Sequence, residues 1–392
     1  MRFPFCLCPP HSDRGLLVAI LLSILVLSGC PDPGGQPGVP SLPDDDDTAD
    51  DDDAADDDDA ADDDDAADDD DAADDDDEGP LGWIGSPCES SADCDYDDAI
   101  CLTDGFPGGM CSQVCDLYCP DRAGHPVTFC VDALELPPSA ELGDGDCLSR
   151  CDFTFFPSSG CRPGYGCRIA PRANEPGTET YACLPGEESD LTSCHLDLAA
   201  RGIAFEPTIR ETAHPDSHPN LDCDIDDPVW LKSPVMGLEL YTSNGEPDEE
   251  VLASCPLAHA LADTALDVMP ELATGLLHMG TYNCRVISGT NTLSEHSFAN
   301  AIDIYGFQMA DGEYYTLVED WEHNTSNPSG EAASWLYETA HRWHDTDLWN
   351  IILTPNYNAA HDNHFHVDLT AGADYIGAHE GSCSQSGPLD WH

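Results

Sequence analysis

His296-Ser-Phe-Ala-Asn-Ala-Ile-Asp303 is answered further along the chain by His361-Asp-Asn-His364-Phe-His366. Two imidazoles and a carboxylate from such segments make a three-ligand site with an open position, the arrangement that holds catalytic zinc. A structural zinc would be closed by four ligands, usually with cysteines, and neither segment contains Cys. The spacing also suits strands. Side chains alternate faces at period two, so His364 and His366 point one way while Phe365 and Val367 point into a core. In the first segment Ala299, Ala301 and Asp303 would share one face, with Ile302 and Ile304 on the other.

Outward from these segments the pattern mixes helices and strands. Pro256–Leu272 places Leu257, Leu261, Leu266 and Met269 at helical spacing, and Gly330–His344 has the same character. Leu276–Ile287, Ala301–Phe307, Asn350–Leu353 and His364–Leu369 read as strands. The expected class is α+β: helices on one face of a small, mostly antiparallel sheet, with the metal-binding residues on the open face. About 200 residues are enough to bury a real core.

Ser294-Glu-His296-Ser-Phe-Ala-Asn-Ala301-Ile-Asp303 resembles the Ser-x-His-x-x-Gly-x-Ala-x-Asp signature of the LAS zinc peptidases, which group D-Ala-D-Ala carboxypeptidases with murein endopeptidases. Within that superfamily the chain looks most like the bacterial extensin-like C-terminal family. The supporting residues are Cys255-Pro-Leu-Ala, Gly280-Thr-Tyr-Asn-Cys284-Arg285, and Pro355-Asn-Tyr-Asn-Ala-Ala-His361 through His364-Phe-His366-Val-Asp368. The resemblance implies Zn2+ held by His296, Asp303 and His366. It implies acid–base work for His361 or His364, and substrate contacts from Arg285 and Ser294. Read singly, Asp303 could cap a turn, Arg285 could be a surface ion pair and His364 a satisfied core residue. Ala299 departs from the signature's Gly, which matters if that backbone needs positive φ.

The remainder of the chain says where such a site would work. Residues 1–30 read as a signal peptide: Arg2 and Arg14, an apolar Leu16–Leu27, then Leu27-Ser-Gly-Cys30, which resembles a lipobox with lipidation at Cys30. The run is short of the roughly twenty residues of a membrane-spanning helix. Residues 31–80 read as a disordered Pro/Gly and acidic tether, with six blocks of four Asp that repel one another and bury nothing. Residues 81–193 hold twelve cysteines and read as a disulfide-rich loop and hairpin module with six bridges. Zinc ribbons are the rival reading for Cys115/Cys119 and Cys147/Cys151, but neither pair has the CxxC form. Residues 194–392 hold five more cysteines, an odd number, with Cys383 the first suspect for an unpaired thiol.

Charge narrows the partners. Of 78 acidic residues, 24 lie in the repeat and three elsewhere before residue 80, leaving 51 against 10 Lys and Arg. Nucleic acid is excluded as a partner, since binding it depends on cations meeting phosphates. The membrane is expected to be met only through the lipid anchor. The expected setting is an exported protein anchored to a bacterial membrane, the outer membrane foremost, facing the periplasm or the surface. The expected function is a zinc peptidase acting on peptidoglycan or wall peptides with D-amino-acid bonds. The alternative is a zinc-binding wall or surface module without catalysis.

Overall fold

The computed structural model describes residues 82–138 and 143–377. The signal segment with Cys30, the acidic repeat and Cys383 fall outside them.

The cysteine-rich segment is built from short pairings. Strands β1 (Ile100–Leu102) and β2 (Met110–Ser112) form one antiparallel ribbon. β3 (Val114–Cys115), β5 (Gly145–Ser149) and the edge strand β4 (Thr128–Asp132) form a three-stranded sheet, and β6 (Tyr165–Pro171) pairs with β7 (Glu179–Pro185). Strands this short do not hold a sheet alone. Six disulfides pin them: Cys88–Cys101, Cys94–Cys111, Cys115–Cys130, Cys119–Cys147, Cys151–Cys167 and Cys161–Cys183. Cys115, Cys119, Cys147 and Cys151 are thus all bridged, and the zinc-ribbon alternative falls.

After α1 (Ser193–Ala200) comes a small antiparallel sheet, β11–β9–β8, from Phe205–Pro207 (β8), Val229–Lys232 (β9) and Glu250–Ala253 (β11). The main sheet has seven strands. β10 (Glu239–Thr242) and β12 (Ala273–His278) run parallel, followed by β13 (Ala301–Met309), β16 (Phe365–Asp368), β15 (Ile351–Leu353) and β17 (Tyr375–Gly377), with β14 (Tyr314–Thr316) also on β13. Four of its six pairings are antiparallel, as the sequence suggested.

Helix α2 (Cys255–Val268) begins at Ser254, whose hydroxyl accepts the Leu257 amide, with Pro256 in the first turn. Leu257, Leu261, Ala265 and Val268 form its buried face, while Leu266, expected in the core, is half exposed. At 3.6 residues per turn position 265 lies under 261, and 266 rotates outward. After a short α3 (Leu317–Asp320), helix α4 (Glu331–Asp345) buries Leu336, Ala340 and Trp343. Both helices share one core with Ile302, Ile304, Phe365 and Val367. Burying each large side chain contributes about 1.5–3 kcal/mol. Asp267 of α2 ties the helices together, accepting Arg342 Nε at 3.0 Å and Trp343 Nε1 at 2.8 Å.

Two strand expectations change. The proposed strand Leu276–Ile287 stops at His278, because Gly280 takes a φ of 124° and Cys284 is tied to Cys223. Residues 295–298 form a 3-10 turn and Ala299 is left-handed (φ 47°, ψ 37°), so Ala299 does not share the strand face with Ala301 and Asp303, and the strand begins at Ala301 as read. The cysteine-rich segment also packs onto the C-terminal part. Phe153 stacks on Phe205 at 4.2 Å, and Arg150 meets the buried Glu206 at 2.6 Å, which Lys232 also contacts.

Candidate metal centre

The register of the sheet places the site. Asp303 of β13 lies directly opposite His366 of β16, and Ala301 opposite Asp368. Cross-strand neighbours on one face have Cβ atoms about 5 Å apart, close enough to share a ligand. His296 arrives from outside the sheet: the 3-10 turn and left-handed Ala299 fold it back over Asp303. His296 Nε2 lies 3.1 Å from Asp303 Oδ1 and 3.1 Å from His366 Nδ1, and those last two atoms are 3.0 Å apart. This near-equilateral triangle is the one group of described metal-donor residues outside the cysteines. Tetrahedral ligands about 2.0–2.2 Å from zinc lie roughly 3.3–3.5 Å from one another, so the triangle is close to one face of such a shell.

The tautomers reinforce the fit. His296 Nδ1 donates to the Thr281 carbonyl (3.0 Å), and His366 Nε2 donates to the Asp368 carboxylate (3.0 Å). Neither oxygen can donate, so in the neutral rings Nε2 of His296 and Nδ1 of His366 are lone pairs. Three acceptors then converge on one point, an arrangement that suits a metal cation. A proton can also serve. Burial opposes charge on His366, but Asp303 and Asp368 outweigh it and lift its pKa to about 9. Burial likewise pushes the Asp303 carboxyl up, yet hydrogen bonds from His296 and His366 hold it well below the usual carboxylate range.

His364 and His361 flank the triangle. His364 Nε2 is 3.5 Å from Asp303 Oδ1, and its Nδ1 donates to Asn363 (2.8 Å). The His361 ring sits 5.2 Å from that of His364 and 5.9 Å from that of His366, its Nδ1 bonded to Asn358 at 2.8 Å. Burial first, then the neighbouring histidines, pushes His361 down to about 4; burial also lowers His364. These shifts favour the neutral rings; His361 Nε2 makes no hydrogen bond among the described residues, whereas His364 Nε2 faces Asp303 Oδ1.

Arg285 reaches the site in a different way. Its backbone is clamped by Ser297, whose hydroxyl accepts the Arg285 amide (2.9 Å) and donates to its carbonyl (2.7 Å). Among the described residues its guanidinium makes no hydrogen bond or ion pair, and its charge is felt at His361. Ser294 is buried at the start of the 3-10 turn, its amide donating to the Arg285 carbonyl (3.0 Å). That amide supports the backbone of the arginine.

The sequence reading gave no role to Thr281, Ser297, Asn358, Asn363 or Asp368. Asp368 had a visible signal, since positions 364, 366 and 368 fall on one strand face. The others had none, because they act through turns.

Among the described residues no helix is long and apolar enough to cross a membrane. The eight disulfides among the described residues fit an exported, non-cytoplasmic protein. Comparison with curated proteins and with solved structures gave no match. Residues 192–376, which carry the whole cluster, match the family described as extensin-like protein C-terminus.

Proposed function

We propose that this protein is an exported, lipid-anchored zinc peptidase that hydrolyses D-amino-acid bonds in peptidoglycan stem peptides, as the resemblance to LAS peptidases implies. The observation that carries the reading is the convergence of His296 Nε2, Asp303 Oδ1 and His366 Nδ1, which lie 3.0–3.1 Å from one another. A bound zinc would supply Lewis acidity for both water and the scissile carbonyl. The protein's own residues do the rest. His361 or His364 accepts the proton of the attacking water at its Nε2 and returns it to the leaving amine. Arg285, held at its backbone and with no guanidinium partner among the described residues, binds a carboxylate or carbonyl oxygen of the substrate. The acidic tether sets the reach from a lipidated Cys30.

The test has three parts. Metal analysis should find about one zinc per chain, lost in His296→Ala and His366→Ala. Mass spectrometry should show D-alanine or cleaved stem peptide released from muropeptides. Cys30→Ser should release the protein from membranes. Equal zinc in wild type and both mutants would remove the ligand set. A zinc-replete protein that cleaves no muropeptide of a broad panel would turn the reading to a wall-binding module.

A further inference from the structure

His361 is held differently from the cluster beside it. Asp303 and His366 face each other through strand register, whereas His361 lies in the loop between β15 and β16. The base of that loop is seated. The Thr354 hydroxyl bonds the Gly377 carbonyl, the Tyr357 amide donates to the Thr354 carbonyl (2.8 Å), and Asn356 Oδ1 accepts the Asn324 amide (3.1 Å). Beyond the base, one residue serves both the backbone and the ring of His361. The Asn358 carbonyl accepts the His361 amide (3.0 Å), while Asn358 Oδ1 accepts the Ala360 amide (2.8 Å) and lies 2.8 Å from His361 Nδ1.

The Ala360 contact decides which way round the asparagine amide stands. A backbone N–H can only donate, so the Asn358 atom facing it is the oxygen. That same oxygen meets His361 Nδ1 and has no hydrogen to give. Nδ1 must therefore carry the ring proton, and the neutral ring keeps its lone pair on Nε2. The opposite tautomer would set two lone pairs against each other at 2.8 Å. His364 lacks this lock. Among the described residues, the oxygen of Asn363 on its Nδ1 (2.8 Å) receives no backbone donor, and the Asn363 nitrogen reaches only Met279 Sδ at 4.0 Å. Asp303, His364, His366 and Arg285 are the charged and titratable groups around His361. Among the described residues none of them hydrogen-bonds its Nε2, which stays available as an acceptor.

We propose that Asn358 is a positioning residue: it fixes His361 as the Nδ1–H tautomer, so that His361 rather than His364 takes the water proton. In that step a water O–H bond breaks, the oxygen bonds the scissile carbonyl carbon, and the proton joins Nε2. The ring is then a cation that still donates Nδ1–H to Asn358. It gives the Nε2 proton to the amine nitrogen as the C–N bond breaks. The chemistry rests on the peptidase reading, whereas the tautomer stands on the hydrogen bonds alone.

Two measurements on the full-length, zinc-loaded protein separate them. The first is nitrogen NMR of the histidine rings, with His361 assigned from the signals missing in His361→Gln. Wild type should show Nδ1 protonated and Nε2 bare. Asn358→Asp, whose carboxylate accepts both donors, should keep that state, and Asn358→Ala should give mixed tautomers. The second is hydrolysis of a stem peptide. Asn358→Ala should lower kcat about tenfold, the upper end for one lost neutral hydrogen bond, against roughly 10²–10⁴-fold for a lost base. Asn358→Asp should recover most of it, with zinc content as in wild type throughout. In a His361→Gln background, Asn358→Ala should cost nothing more, because it acts through the ring that is gone. A bare Nδ1 in wild type, or wild-type ring signals in Asn358→Ala, overturns the proposal. A further loss on top of His361→Gln overturns it too, while leaving the peptidase intact. If wild type cuts no stem peptide, the peptidase reading falls and the ring spectrum still decides whether Asn358 sets the tautomer.

Discussion

Replacing Asp368 by Asn isolates the carboxylate that orients a candidate ligand without touching the ligands themselves. Asp368 is 4% exposed; its Oδ2 accepts His366 Nε2–H at 3.0 Å and its Oδ1 accepts the Thr370 amide at 2.9 Å. An asparagine of the same shape can keep one of these bonds through its carbonyl, but not both, and it brings no charge. The His366 ring loses the charge that raises its basicity, and shares with Thr370 the one remaining acceptor that fixes its tautomer. Outer partners of metal-bound histidines are worth 10–100-fold in metal affinity, or about 1.4–2.8 kcal/mol. Zinc affinity of the Asp368→Asn protein should therefore fall by about that factor, with the ligand triangle still present. The assay is competition with a chromogenic chelator at fixed pH, alongside far-ultraviolet circular dichroism to confirm the fold. Unchanged affinity in a folded variant refutes the argument that His366 presents Nδ1 because Asp368 holds Nε2.

Ala299→Gly should be close to neutral. Left-handed Ala is strained by about 1–2 kcal/mol, but Gly forfeits about 0.8 kcal/mol for the fully buried methyl and about 0.4–1 kcal/mol through unfolded-chain entropy; thermal melting should move little, and a loss above about 2 kcal/mol would show that the methyl does more than fill space. Asp146→Asn should alter pH dependence. Burial raises the Asp146 carboxyl to about 6 in the folded protein, one oxygen lacking any partner. Its protonated form is therefore favoured on folding: the contribution is fully present below about pH 4 and is lost as pH rises through 6, amounting to about 3 kcal/mol. The Asn variant should be more resistant to guanidinium than wild type at pH 7.5 and equal to it below pH 4, and an equal advantage at both pH values would refute the assignment. Trp343→Ala, which empties a fully buried site and removes the indole donor to Asp267, should destabilise the domain by about 3–5 kcal/mol in denaturant titration. Arg285→Ala should retain zinc and raise KM more than it lowers kcat, and a pure kcat loss would place the guanidinium at the reacting atoms instead.

Much of this protein is set by local pattern. The alternation of Phe365 and Val367 with His364 and His366 is a strand property, and it already separates core from open face before any tertiary contact is known. The dense cysteines predict a stapled segment because chains that bury little need cross-links. The period of Leu257 and Leu261 announces a helix, although not that Leu266 would turn away from the core.

What only the tertiary structure decided depends on contacts between residues far apart in the chain. Which cysteines pair is one such matter, since spacing permits many connectivities and the fold selects one. Another is that His296 meets Asp303 by a 3-10 turn and a left-handed Ala299, where the spacing had put Ala299 on one strand face with Ala301 and Asp303. The roles of Thr281, Ser297 and Asp368 are of the same kind. A carbonyl that fixes a tautomer, or a hydroxyl that clamps an arginine's backbone, has no sequence signature, because its identity as a partner lies in a direction and a distance that the fold alone supplies.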